Sequence, residues 1–131
     1  MKKFLIHGLV AGVLASATGI LFVKVYEEMM FVDFNAILNP VSISAACIFS
    51  CIIMGLIGFA ISKSKRKSLQ GWFNILAILV TGVSLLGPLS FSLPLEIEFP
   101  EMFPGMAMPL HFLPALYFFG IAPFFNKKSP T

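Results

Sequence analysis

Charge is what this chain has least of. Only 11% of its 131 residues are Asp, Glu, Lys or Arg, against 58% apolar ones, and the mean hydropathy is +0.94. A soluble globule of this length needs more polar surface than that, so a lipid bilayer must cover what the chain cannot. Histidine and cysteine are scarce too, at two of each. Cys47 and Cys51 stand four apart, neighbours on one helical face at bilayer depth, where side chains seldom reach disulfide geometry. Two thiols alone also make a poor structural metal site, so both read as small buried hydrophobes. A Gly-rich phosphate loop, H-E-x-x-H and G-x-S-x-G are missing. His7 and His111 belong to opposite membrane faces, about a span apart, which excludes a haem held between them. No catalytic residue and no cofactor is expected, and an enzyme is the lesser expectation.

What the chain does have is long apolar runs: Phe4 to Tyr26, Val41 to Ser62, Trp72 to Leu93 and Met106 to Phe125. At ~1.5 Å of rise per residue, each is near or above the ~20 residues that cross a ~30 Å hydrocarbon core. The expected fold is all-α, an antiparallel bundle of four transmembrane helices with a short extended, proline-rich outer cap. It forms one membrane domain over residues 1–131, with helices at about 4–26, 41–62, 72–93 and 106–125. Residues 27–40 and 94–105 make outer loops, and 63–71 a cytoplasmic turn.

The few charges are segregated. Lys2 and Lys3 precede the first run, Lys63, Lys65, Arg66 and Lys67 follow the second, and Lys127 and Lys128 follow the fourth. The six acids, Glu27, Glu28, Asp33, Glu96, Glu98 and Glu101, occupy the other two connectors. Basic connectors stay on the cytoplasmic side, so both termini are expected there. The net charge of +3 reads as orientation signal and anionic-lipid contact. Nucleic acid is not an expected partner, because no aromatic and basic surface remains outside the bilayer.

Along the chain, Ala15-Ser16-Ala17 mimics a signal-peptidase site, but hydrophobicity continues through Ile20 to Val23, so an uncleaved first helix is expected. That helix carries Gly8, Gly12, Ser16 and Gly19, a small-residue stripe for close packing within the bundle or, less so, between copies. Gly55 and Gly58 give the second helix a similar face. His7 reads as interfacial. Lys24, the one cation out of place, precedes Glu27 and Glu28 by three and four residues and is expected to pair with them. The mixed acidic and apolar segment after it is expected to lie along the interface with its apolar side in lipid or on the bundle. Asn39-Pro40 supplies an N-cap and a first-turn proline for the second helix. Trp72 belongs at headgroup level and Asn74 is expected to bond across helices. Pro88 removes a backbone bond to Ser84, so the third helix is expected to bend or end early.

The second outer loop holds the most distinctive chemistry. Leu95 to Phe99 alternates with period two, placing Glu96 and Glu98 on one face of a short extended segment, while Pro94, Pro100, Pro104 and Pro109 forbid a long helix. The last helix is expected to start near Met106 or Pro109 and to be kinked by Pro114 beside His111. An ionisable residue at that depth is a site hypothesis, with Glu96, Glu98, Glu101, Lys24 and Glu28 as its candidate partners. Three readings stay open: His111 pins the cap, the cluster handles a proton or metal cation, or Met102, Met106, Met108 and His111 offer soft ligands to Cu(I). Which metal, if any, stays unknown.

Asp33-Phe34, Pro40-Val41-Ser42, the basic turn with its following aromatic, Ser84 to Pro88, and Met108 to His111 together resemble a family of small four-span bacterial membrane proteins with no assigned activity. The resemblance implies a four-helix bundle in a bacterial plasma membrane and supplies no reaction. The expected role is lateral association, as a homo-oligomer or an accessory subunit of a membrane complex. A small cation or proton transporter or channel subunit is the alternative, and an enzyme acting on lipid or quinone at the outer face comes third.

Overall fold

The computed structural model describes residues 1–64, 66, 68–94 and 97–125. Leu95, Glu96, Lys65, Lys67, Lys127 and Lys128 lie outside them. The described residues are all helical apart from connectors: α1 (Lys2–Met30), α2 (Pro40–Ser62), α3 (Ser68–Ser84), α4 (Leu86–Ser90), α5 (Phe103–Gly120) and α6 (Ala122–Phe125), with a 3-10 turn at Pro100–Met102. Four stretches are long and apolar enough to cross a membrane: Lys2–Met30, Pro40–Ser62, Ser68–Ser90 and Pro100–Phe125.

Packing begins between α1 and α2. A methyl group added at Gly8 would stand 2.6 Å from the Cys51 carbonyl oxygen, at Gly12 2.7 Å from Ile48 Cα, and at Gly55 2.6 Å from the Phe4 carbonyl oxygen. Only glycine lets the backbones approach so closely, and in lipid such van der Waals contact is a main source of helix association. The contacts pair 4 with 55, 8 with 51, 12 with 48 and 19 with 43, in inverse order. The small-residue stripe is thus covered within the chain. Ser16 joins it, its Oγ donating to Gly12 O at 2.7 Å and reaching Ser44 O at 3.5 Å.

In the α1–α2 connector Val32 and Phe34 are buried against the bundle, the second of the two placements expected for its apolar side. α1 runs four residues further, to Met30, and ends on Phe31 in the left-handed region (φ 55°). Bulky residues rarely adopt that conformation. The N–H groups of Phe31 and Val32 both return to Glu27 O, and a Glu27 carboxylate oxygen accepts from Phe34 N at 2.9 Å. Glu27 therefore folds the chain inward, and Phe34 ends 1% exposed, edge-on to Phe103. Lys24 and Glu28 both stay exposed, and among the described residues no lysine or arginine lies within 4.0 Å of a carboxylate. The expected Lys24 ion pair is not formed, because the nearer acid is engaged with backbone. The Asn39 cap forms as expected, its Oδ1 accepting from Ser42 N at 2.8 Å.

α3 stops at Ser84, and α4 resumes after Leu85, as the loss of the Pro88 donor requires. Asn74 bonds Gln70 on its own helix rather than across helices. Only Phe73 of α3 is buried, while Ile75, Leu76, Ile78, Leu79, Val80 and Val83 are exposed. A helix apolar all round and barely covered is one that lipid must solvate. Phe73 meets Phe118 and Phe119 at the far end of α5, and Phe91 meets Phe103 at its start, again in inverse order.

The cap is not extended where it is described. Ile97 N donates to Pro94 O, Phe99 is left-handed (φ 52°), and the 3-10 turn follows directly. α5 then starts at Phe103, three residues before Met106. Pro104 sits in its first turn, where no intrahelical donor is needed, and the helix continues through Pro109 and Pro114.

Candidate functional site

Two prolines shape the environment of His111. Without an N–H, Pro114 leaves the Leu110 carbonyl without its i+4 donor, as Pro88 does for Ser84. His111 itself is half-buried, and its Nδ1 lies 2.8 Å from Ala107 O. A carbonyl only accepts, so Nδ1 carries the proton and, in the neutral ring, Nε2 is left as an acceptor. Among the described residues nothing bonds Nε2.

His111 lines a cleft of about 680 Å³ between α2, α3 and α5. The cleft exists because α3 stands away from the bundle, touching α5 mainly through Phe73. Ile53, Met54, Ile57, Phe73 and Leu76 make one end wholly apolar. The other end holds Ser42 from α2, Thr81 and Ser84 from α3, and His111 beside the apolar Ile37, Leu38 and Ile43, while Ser50 stands midway along the α2 wall. A head-and-tail division of this kind, in a volume within the ~300–1,000 Å³ of small-molecule sites, is the form of an amphiphile pocket.

Among the described residues, the expected acids are not brought onto His111. Glu98 and Glu101 are exposed, Lys24 and Glu28 are exposed at the end of α1, and Glu96 lies outside the described residues. No carboxylate bonds His111, and no group of three or more His, Cys, Asp or Glu side chains is placed to hold a metal, both among the described residues. Met106 is fully buried in the core. Cys47 and Cys51 are buried free thiols, and Cys51 Sγ reaches Pro114 O at 3.5 Å.

Other polar contacts are invisible in the sequence. His7 is buried, its Nε2 donating to Phe118 O at 2.9 Å and its ring stacked on Phe118 and Phe125 at 4.4 and 4.8 Å. Phe118 is among the last four residues of α5, whose carbonyls lack helical donors, so His7 satisfies an otherwise orphaned acceptor. Thr18 Oγ1 bonds the Tyr117 hydroxyl, and Tyr26 donates to Met102 O at 3.0 Å. These three bonds tie α1 to the C-terminal half of the chain along its length. Their partners are 76 to 111 residues apart, and no local spacing announces them.

Compared with known proteins, the chain matches no family model, no curated protein and no solved structure. The four-span resemblance rests on its short motifs alone.

Proposed function

We propose that this is a four-span protein that binds a bilayer amphiphile in the cleft between α2, α3 and α5, without a catalytic step of its own. The inverse contact order supports an antiparallel up-down-up-down arrangement, and the charge segregation supports cytoplasmic termini, while a bacterial plasma membrane is what the four-span resemblance implies. The polar end of the cleft then faces outward.

The carrying observation is the cleft itself. Its α2 wall runs from Ser42 to Ile57, about 22 Å of helix. An alkyl chain or ring system fits, and it enters from lipid past the thinly packed α3. Tryptophan substitution at Ala46 or Ala77, both on the lining, obstructs the cleft. The expected result is loss of the amphiphile that co-purifies with the protein in mild detergent, read by mass spectrometry of the extracted lipid. Equal amphiphile content in the unmodified and filled proteins refutes the reading.

Lateral association is a second reading, and one observation favours it. Ser42, Ala46 and Ser50 repeat every fourth residue on an α2 face that α1 does not cover. A mass measurement in detergent decides it, since a lone monomer with no partner contradicts association and leaves amphiphile binding intact.

A further inference from the structure

The polar end of the cleft is rich in acceptors and poor in donors. Thr81 Oγ1 donates to Ala77 O at 2.8 Å, Ser84 Oγ to Thr81 O at 2.7 Å, and Ser42 Oγ to Asn39 O at 2.8 Å. The His111 Nδ1 proton is engaged by Ala107 O. Each of these side chains therefore turns lone pairs, not protons, toward a ligand. Ser50, midway along the α2 wall and bonded to nothing among the described residues, keeps a free hydroxyl proton. Ser84 and Leu110, whose carbonyls lose their i+4 donors to Pro88 and Pro114, are both residues of the cleft lining. No Lys, Arg, Asp or Glu lines it among the described residues.

From this pattern we infer that the cleft selects a neutral lipid whose polar group is a hydroxyl donor, with His111 Nε2 as the principal acceptor. The inference rests on the amphiphile reading and specifies its ligand class. A phosphate or carboxylate head brings further lone pairs into a site lined, among the described residues, by no Lys or Arg and few donors, so it is disfavoured. An ether or ester head has no proton to offer the waiting acceptors, whose desolvation is then uncompensated. A long-chain alcohol satisfies them and lays its tail against Ile53, Ile57 and Leu76.

The test uses the full chain in phosphatidylcholine nanodiscs, photolabelled by a diazirine-bearing analogue of hexadecanol. Hexadecanol, hexadecyl methyl ether and hexadecanoate then compete for the label. One net hydrogen bond corresponds to hexadecanol competing at roughly two- to tenfold lower concentration than its methyl ether. His111→Phe is expected to bring that ratio close to one. Equal or better competition by the ether or the carboxylate in the unmodified protein overturns the inference, and this arm needs no variant to fold. If labelling is still abolished by Ala77→Trp, the cleft reading survives that result. Labelling that Ala77→Trp leaves unchanged overturns both.

Discussion

Gly8→Ala is the sharpest test of how this chain is held together. The added methyl would lie 2.6 Å from Cys51 O and 3.1 Å from Cys51 C, both backbone atoms that cannot rotate away. Ordinary contact begins at 3.4 Å, so α1 and α2 must separate locally by about 0.8 Å. A gap of that size forfeits about a quarter to a half of the dispersion energy of neighbouring atom pairs. Overpacking of this kind costs about 1–3 kcal/mol, and the immobility of the backbone places this case toward the upper end. Alanine offsets roughly 1 kcal/mol of that through its better helix propensity, leaving a net loss of about 1–2 kcal/mol. Gly82 is the internal control: it is exposed, a methyl there meets nothing within 4 Å, and only the propensity gain applies. Gly82→Ala is therefore expected to be neutral or stabilised by up to ~1 kcal/mol. Equilibrium unfolding of the detergent-solubilised protein by SDS, followed by circular dichroism, measures the difference. Gly55→Ala repeats the test from the other helix, against Phe4 O at 2.6 Å. Stability of Gly8→Ala equal to or above that of Gly82→Ala would refute backbone contact as the basis of the α1–α2 pair.

Further consequences concern the long-range polar contacts and the cap. His7→Phe preserves an aromatic stack on Phe118 but leaves the Phe118 carbonyl without its donor. The expected loss is about 1–2 kcal/mol in the same unfolding assay, and an unchanged midpoint contradicts the assigned bond. A double-mutant cycle of Thr18→Val and Tyr117→Phe is expected to give a coupling of about 0.6 kcal/mol, the usual size for a hydrogen bond between transmembrane helices. Strict additivity contradicts a direct contact. Asn39→Ala removes the acceptor for Ser42 N and is expected to cost about 1 kcal/mol, whereas Asn39→Asp retains the cap. Equal stability of the two variants contradicts capping.

The sequence by itself determined the four apolar stretches, the Asn39 cap, the break that Pro88 imposes after Ser84, and the glycines on which α1 and α2 meet. All of these follow from local rules: the length of a run, the residue that satisfies an end, the donor a proline lacks, the spacing that places small residues on one face. Tertiary structure alone decided what those local features face. It covered the Gly8 to Gly19 stripe inside the chain, turned Glu27 from Lys24 to the backbone of Phe34, buried His7 against Phe118, and left α3 standing off so that His111 borders a cleft between α2, α3 and α5. Side chains separated by a hundred residues meet only once the helices have chosen neighbours. That choice depends on shape complementarity across whole faces, and four runs of similar length and hydrophobicity do not encode it in any short window.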